Sequence, residues 1–379
     1  MTVDTTADQP GGPSGRSKPR SQRRKRVVRI LQIVISLVIV VGIFALVIPK
    51  IANYRDVWKT ITELTPLELG SMVAATIFNL FTYWWQMMAA MPGLTTAQAA
   101  VNNQTSTTIA NILPGGGVIA IGVAVEMFHS WGFTASQISL LITLTGIWNS
   151  FLKLGLPIIS VALLALSGQA TTALLIPAVI GLLILIGCVV VFALILRKRE
   201  LARAIGNALG RAWSRIRRLL RREPVTDWGD RAVRFRHVTI ELIARRWVPL
   251  TLTTLLSHLA LYFVLLLCLR NVGVSQQEVS WIQVLAVFSL GRLVTALPIT
   301  PGGVGFVELA YIGGLVLAGR SHADVPLPEF RAQVTAAVLM FRALTYGIQI
   351  PLGGFTYIIW RLKGSWRKPV PHEAAAAPA

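Results

Sequence analysis

Two long apolar segments of this chain are each interrupted by Pro-Gly-Gly, once at Pro114-Gly115-Gly116 and once at Pro301-Gly302-Gly303. Proline removes a backbone N–H donor and glycine tolerates backbone conformations that other residues avoid, so an α-helix usually ends at such a site. Within a bilayer the freed backbone groups must be buried in protein or line a cavity, because lipid offers them no hydrogen bonds. Matched breaks in two halves of a membrane chain therefore indicate a ligand or transport site between repeats.

Composition places these breaks in a membrane protein. Of 379 residues, 54% are hydrophobic and only 14% are charged, whereas soluble domains average about 25% charged residues. We predict an all-α, polytopic membrane protein. Cys188 and Cys268 lie in apolar runs and provide neither a disulfide framework nor metal-ligand spacing, so no metal site and no cofactor are predicted. The chain contains no nucleotide-binding or hydrolase motif, so we expect no catalytic residue and do not expect an enzyme.

Apolar runs and basic clusters together predict the topology. Spans of the length needed to cross a bilayer, about 20 residues, are predicted at 28–48, 67–90, 134–166, 171–196, 247–269 and 331–360. Basic clusters at 16–26, at 197–246 and after Trp360 flank these spans and are assigned to the cytosol by the positive-inside rule. Nucleic-acid binding is the weaker interpretation of clusters placed beside spans, and no nucleic-acid partner is predicted.

With both termini cytosolic, the broken segment 97–131 must enter and leave from the cytosolic side, and 280–319 must do so from outside. A helix–hairpin–helix repeat over 67–166 then recurs upside down over 247–360, as in secondary transporters with inverted repeats. Charge counting leaves open whether each hairpin is re-entrant or a pair of full spans. For the first hairpin, the polar run 102–108 favours re-entry because it is too polar to face lipid.

The two tails that flank the membrane domain (28–360), and the linker between its two repeats, are predicted to be cytosolic. Residues 1–26 have the composition of a disordered basic tail, and 361–379 form a second tail. Within the linker 197–246, apolar residues recur at helical spacing from Leu201 to Leu220 between arginines. This pattern predicts a basic amphipathic helix in the headgroup layer that binds anionic inner-leaflet lipids. A solvated loop that only sets topology is the alternative.

The second hairpin carries an arginine and a glutamate at matched depth. Arg292 lies six residues before Pro298 and Glu308 lies seven residues after Pro301, so both lie about 9–10 Å from the hairpin tip at 1.5 Å per residue. Ionisable residues at membrane depth are candidates for function. Two interpretations are open: a buried ion pair that neutralises both charges, or a site in which an anionic substrate competes for Arg292.

Further candidates lie in the long helices and at the breaks. Lys153 and Arg342 follow Pro114 and Pro301 by 39 and 41 residues, and these cations are predicted to contact the phosphate of an amphiphile, with snorkelling as the alternative for Lys153. Asn149 precedes Lys153 by one helical turn and shares its face. Backbone N–H groups at the start of each half-helix are predicted to bind anions, unless small residues there only permit close packing; these residues are Gly115, Gly116, Gly302 and Gly303, with Asn111 just before the first break.

The segment from Ala296 to Glu308 resembles the flippase-like, lysylphosphatidylglycerol synthase transmembrane-region family. The segment from Asn111 to Gly117, followed by Ser130-Trp131-Gly132-Phe133, is similar to an actinobacterial-type branch. The resemblance covers about 28–360 and implies a multi-pass bacterial plasma-membrane protein that moves or binds an amphiphilic lipid, such as an aminoacylated phospholipid or a polyprenyl-linked sugar. Many relatives carry an acid and an arginine soon after the first proline, whereas 118–125 here is apolar.

The resemblance leads to a main hypothesis and two alternatives. The main hypothesis is a lipid translocase that holds an anionic headgroup between inverted repeats. The alternatives are a non-transporting scaffold of cell-envelope lipid synthesis and, more weakly, an enzyme acting on a lipid-linked substrate. Because the chain ends soon after its last span, without a soluble aminoacyltransferase domain, we do not expect it to synthesise the lipid. A polar cavity that joins both hairpin tips favours transport, and a dry interface favours a scaffold.

Overall fold

The computed structural model describes residues 48–113, 116–168, 172–219, 228–295 and 300–363, together with isolated positions between 34 and 45. Within these ranges every regular element is helical, which confirms the predicted all-α polytopic fold. Most of the predicted span 28–48, the tail 1–26 and the second tail beyond residue 363 lie outside the described residues.

The first half of the described chain contains seven helices: α1 Ile48–Ile51, α2 Tyr54–Thr62, α3 Pro66–Ala90, α4 Thr96–Ile112, α5 Gly116–Ser130, α6 Ala135–Leu166 and α7 Thr172–Arg197. Three of them begin at a capping box, in which a threonine hydroxyl accepts a backbone N–H and the side chain three residues later accepts the threonine N–H. These pairs are Thr65 with Glu68, Thr95 with Gln98, and Thr134 with Gln137. Because each box satisfies N–H groups that a helix start leaves unpaired, it fixes where these helices begin.

The second half continues with α8 Arg199–Leu219, α9 Trp228–Asn271, α10 Trp281–Val294, a 3₁₀ turn Pro301–Gly303, α11 Phe306–Gly319, α12 Leu327–Arg342 and α13 Gln349–Leu362. A π-helical turn, Ala343–Gly347, joins α12 to α13. A π turn inserts an extra residue into a helix, so it changes which side chains of α13 share a face with those of α12.

Five helical segments among the described residues are long and apolar enough to cross a membrane, or six if the bent pair α2 and α3 is one span. The five are Ala135–Leu166, Val179–Arg197, Trp228–Asn271, Pro301–Gly319 and Leu327–Leu362. The predicted span 67–90 corresponds to α3, which α2 joins at an angle of 95°. The predicted span 247–269 is only the distal part of α9, because no glycine or proline between residues 230 and 248 interrupts that helix.

Both Pro-Gly-Gly sites separate short helices. The paired helices α4 and α5 contain 17 and 15 residues, and α10 and α11 contain 14 each. At 1.5 Å per residue these helices are about 21–26 Å long, less than the ~30 Å hydrocarbon core. We call α4–α5 the first hairpin and α10–α11 the second hairpin.

Each hairpin packs against a helix of the other half of the chain. The first hairpin lies against α13, and α10 of the second hairpin lies against α6. Helices α3 and α9 form the contact between the halves, where Asn79 donates to the carbonyl of Ser257 (3.0 Å) and Gln86 donates to Thr254 (2.7 Å). This reciprocal arrangement brings the inner ends of both hairpins to the middle of the molecule.

Candidate functional site

A cavity of about 310 Å³ lies where the two hairpins meet. Its lining residues come from eight of the helices and from the second hairpin tip, so residues far apart in sequence face one space. Its polar lining residues come from both halves of the chain: Tyr83, Asn103, Thr107, Asn111 and Lys153 from the first, and Arg292, Thr295, Gly302, Arg342, Thr345, Tyr346 and Gln349 from the second. Of the predicted site residues, Asn111, Lys153, Arg292, Gly302 and Arg342 line it directly.

The two hairpin tips are joined through one side chain. The hydroxyl of Tyr346, in the π turn, donates to the carbonyl of Asn111 at 3.0 Å and lies 3.5 Å from the carbonyl of Pro301. Gly302 adopts φ of +60° directly below this ring, where a β-carbon would collide with Tyr346. Only glycine combines that backbone conformation with so close an approach, which explains the first glycine of the Pro-Gly-Gly motif at this break.

Glu308 is buried and has two donors. One carboxylate oxygen accepts from Nε of Arg342 at 2.6 Å, and the other accepts the backbone N–H of Gly305 at 2.6 Å, at the start of α11. The side chains of Glu308 and Arg342 are 3% and 13% exposed. Arg342 also donates to the carbonyl of Gly302 at 3.1 Å, so this ion pair fixes the second tip to α12.

The partner of Glu308 differs from the one predicted. Sequence depth placed Arg292 and Glu308 at the same level of the second hairpin, yet the carboxylate is paired with Arg342. Depth along a hairpin follows from residue counting, whereas rotation about each helix axis decides which side chains meet. The rotation of α11 directs Glu308 toward α12 instead of toward α10.

Arg292 and Lys153 are the uncompensated cations of the cavity. Both side chains are partly buried, and neither forms an ion pair or a side-chain hydrogen bond within the part of the chain that the structure describes. Nε of Arg292 is buried and has no hydrogen-bond partner there. Removing a cation from water without a partner is costly, so a site of this kind favours an anion that supplies the missing acceptors.

The remaining predicted residues lie elsewhere. Asn149 donates to the carbonyl of Thr145 at 2.7 Å and lines an adjoining cavity of about 340 Å³. Gly116 is buried against the backbone of Ile109 and Ala110, and Gly303 is buried beside Val307. Neither of these glycines lines the cavity between the hairpins, so their positions match the close-packing interpretation. Gly115 lies outside the described residues.

The adjoining cavity shares a wall with the polar one. Tyr83, Asn103 and Thr107 line both. Its far side is apolar and is formed mainly by α5 and α6, with the lining residues Ala120, Ile121, Ala124, Phe128, Leu141 and Ile142. The two spaces together therefore form a polar chamber with an apolar neighbour.

Several lining residues were not predicted as site residues. The polarity of the run 102–108 signalled that part of α4 avoids lipid, but not that Asn103 and Thr107 face the cavity while Thr105 and Thr108 bond to α13. Tyr346 offered one usable signal, its place four residues after Arg342. The Arg342 guanidinium lies over the Tyr346 ring, 4.4 Å from its centroid, a favourable cation–π geometry.

A family match agrees with this architecture. Residues 33–353 match the model described as the lysylphosphatidylglycerol synthase TM region. The chain belongs to this family. A comparison with curated proteins found no match. Family membership confirms the resemblance inferred from the second hairpin motif. Together with the helical fold, it identifies a multi-pass integral membrane protein of lipid metabolism or transport.

Within the described ranges, no group of three or more His, Cys, Asp and Glu side chains is placed to hold a metal ion. A further cavity of about 590 Å³ lies apart from the site and is lined by Asp56, Glu63, Glu68 and Glu329, with Lys59 as its basic residue. These acidic residues do not line the cavity between the hairpins.

Proposed function

We propose that this protein is a lipid translocase that binds the anionic headgroup of a phospholipid or polyprenyl-linked lipid between its two halves. One observation carries the proposal: the cavity that joins both hairpin tips is polar and contains three cations opposed by a single buried carboxylate. A scaffold needs no such space, and burying unpaired cations is unfavourable unless a ligand compensates them.

The headgroup phosphate is proposed to bind between Lys153 and Arg292, the two cavity-lining cations that have no anionic partner within the described ranges. Arginine presents a planar fork of donors that matches phosphate oxygens, and lysine adds a compact charge. Arg342 is already committed to Glu308. Its proposed role is to hold the tip in place, with its outer face directed to the same chamber.

A hydrocarbon chain of the lipid is proposed to occupy the adjoining cavity. That space begins at the polar wall shared by Asn103 and Thr107 and ends among apolar side chains of α5 and α6. An amphiphilic lipid has the same order of surfaces, a polar headgroup followed by an apolar chain. The arrangement lets the headgroup leave water while its chain remains in apolar surroundings.

The location and mechanism are part of the proposal. We place the protein in a bacterial plasma membrane with both termini in the cytosol, from the basic clusters that flank its spans. The hairpins then insert from opposite faces, and the cavity at their tips is open alternately to each side. No catalytic step is assigned to this site.

Reconstitution tests the proposal. The full chain is placed in vesicles that contain an anionic phospholipid with a fluorophore on its acyl chain, and transfer between leaflets is followed by chemical quenching of the outer leaflet. Arg292→Ala and Lys153→Ala are each expected to slow transfer by about tenfold to a hundredfold, because a hydrogen bond to a charged group contributes about 1.5–3 kcal/mol. Arg320→Ala is the matched control, since Arg320 is an exposed arginine at the end of the second hairpin.

Two results would contradict translocation through this site. If wild-type vesicles transfer lipid no faster than protein-free vesicles, the scaffold alternative is favoured. If Arg292→Ala and Arg320→Ala behave alike while transfer by the wild type is fast, the lipid crosses elsewhere.

A further inference from the structure

We infer that the preferred headgroup is a phosphate ester of a neutral polyhydroxyl group, such as glycerol or a sugar, and that headgroups bearing amines are disfavoured. This inference rests on the proposed function and narrows its substrate class. It follows from the placement of charges around the cavity. It differs from what the family's name suggests, because lysylphosphatidylglycerol carries amines.

Among the residues that the structure describes, no free carboxylate lines the cavity to receive an ammonium group. The chain contains 16 acidic residues, and among those in the described ranges only Glu308 contacts the cavity wall. Its two oxygens are occupied by Arg342 and by the N–H of Gly305, and its side chain is almost fully buried. Residues 114–115 and 296–299, which lie at the breaks but outside the described ranges, include no acidic residue.

The other carboxylates of the membrane domain lie away from this chamber. Glu126 is ten residues from the start of α5, which places it about 15 Å from the first tip at 1.5 Å per residue. The acidic residues near α2 and α12 line the separate 590 Å³ cavity. A lipid ammonium bound at the tips would therefore face Lys153 and Arg292 with no nearby counterion, and like charges at such sites disfavour the wrong ligand.

The part of the cavity wall formed by α3 and α4 is neutral and able to hydrogen bond. Tyr83, Asn103, Thr107 and Asn111 supply hydroxyl and amide groups on the α3 and α4 side. The side chains of Asn103 and Thr107 form no hydrogen bond within the described ranges and face the cavity. Hydroxyls and amides both donate and accept, so they complement the hydroxyls of a polyol. A ligand that carries both a phosphate and several hydroxyl groups therefore complements the cations and the neutral side chains together.

A headgroup series tests the inference. Phosphatidylglycerol, a polyprenyl-phosphate sugar, phosphatidylethanolamine and lysyl-phosphatidylglycerol are compared for transfer in vesicles and for binding to the detergent-solubilised protein by native mass spectrometry. The two polyol esters are expected to bind at least about tenfold more tightly than the two amine-bearing lipids, the change that one charge-assisted contact provides. Glycerol phosphate is added as a soluble competitor and separates recognition of a free phosphate ester from recognition of the whole lipid.

A charge-introducing variant provides the second measurement. Asn103→Asp places a carboxylate on the neutral wall and is expected to shift the binding ratio toward lysyl-phosphatidylglycerol by about tenfold. Gln277→Glu, at an exposed position between α9 and α10 and away from the cavity lining, is the matched control and should leave the ratio unchanged. Retention of the wild-type ratio in Asn103→Asp would overturn the inference.

The binding measurements distinguish failure of this inference from failure of the proposed function. Equal or tighter binding of lysyl-phosphatidylglycerol, still weakened by Arg292→Ala, would overturn the polyol preference and leave the translocase proposal standing. Preferred binding of polyol esters without transfer in vesicles would support the preference and count against translocation.

Discussion

Arg292 and Arg342 line the same cavity in opposite electrostatic surroundings. Arg342 shares a buried pair with Glu308, whereas Arg292 has no carboxylate partner within the described ranges. Removing one member of a buried pair leaves an uncompensated charge and is costly, while removing an already unpaired charge is not. Loss of the Arg342–Glu308 pair should therefore lower stability, whereas substitution of Arg292 should weaken ligand binding with little loss of stability.

Glu308→Gln is expected to lower the free energy of unfolding by about 3 kcal/mol, because it leaves Arg342 without its counterion. Arg292→Gln should change it by less than about 1 kcal/mol. Both values come from equilibrium unfolding in mixed micelles with increasing SDS. The double change Glu308→Gln with Arg342→Gln should lose less stability than Glu308→Gln alone, since the unpaired charge is gone. Equal losses in Glu308→Gln and Arg292→Gln would refute the assigned pairing.

Sequence reasoning found many of these residues but not their partners. Membrane depth and charge are sufficient to select Lys153, Arg292, Glu308 and Arg342, because ionisable residues are rare in spans. The pairing of Glu308 depends on helix rotation and on the backbone N–H of Gly305, which only the folded tip supplies. Tyr346 has no charge and lies in the π turn, so its spacing from Arg342 is the one sequence signal, and its contacts are needed to reveal its role.

The contact between α13 and α4 depends on one glycine of an adjacent pair. Gly353 is buried against the first hairpin, and a β-carbon there would meet the hydroxyl of Thr108 and the carbonyl of Gln104. Its neighbour Gly354 is exposed and has open space around it. Small residues let helices approach closely in membranes, so the two positions should respond differently to the same substitution.

Gly353→Ala is expected to destabilise the protein by about 1–3 kcal/mol through overpacking. Gly354→Ala should be neutral or stabilise it by up to about 1 kcal/mol, since alanine is the better helix former. The same SDS titration measures both. If the two variants lose equal stability, the close approach of α13 to α4 is not as described.

The apolar cavity beside α5 offers a second comparison between glycines of one helix. Gly117 lines it and Gly122 is exposed outside it, and both have open space for a side chain. Gly117→Leu is expected to fill part of the cavity and slow transfer of a long-chain lipid, while Gly122→Leu adds the same apolar surface without that effect. Binding of soluble glycerol phosphate should remain unchanged in both. Slowing by Gly122→Leu alone would argue against a chain in this cavity.

The positions at which helices end were the feature of the fold that the sequence predicted best. Helices stop at both Pro-Gly-Gly sites for the backbone reasons that the sequence provides. The π turn after Arg342 was not predictable, because residues 343–347 contain no signal except Gly347. The start of α9 was also missed, since hydropathy marks the membrane-embedded part of a helix and not its continuation into water.

The molecule as a whole also presents a basic helix beside its membrane domain. Gly206 and Gly210 of α8 pack against the start of α9, where Arg203 pairs with Asp230 at 2.9 Å. Leu209 and Trp213 remain 57% and 45% exposed. Exposed apolar residues on a basic helix are typical of one that lies on a membrane surface, which is the role we propose for α8.

A probe can test where α8 lies. Cysteine is introduced at Leu209 in a chain with Cys188→Ala and Cys268→Ala, and an environment-sensitive fluorophore is attached. Its emission is expected to shift to the blue in nanodiscs containing anionic lipid and to revert partly in high salt, because salt screens the attraction of the arginines. The same probe at Ala208, on the side of Arg211 and Arg215, should shift less. Identical spectra at the two positions would place α8 in water.

Helix α9 is too long to lie entirely within the hydrocarbon core of a membrane. Its 44 residues extend about 66 Å at 1.5 Å per residue, roughly twice the ~30 Å hydrocarbon core. One end carries Leu261 in the cavity wall and the other end carries α8. Over this length, a tilt of a few degrees at the cavity would displace Trp228 by several ångströms. We therefore expect a lipid headgroup bound at the tips, as proposed, to change the position of α8.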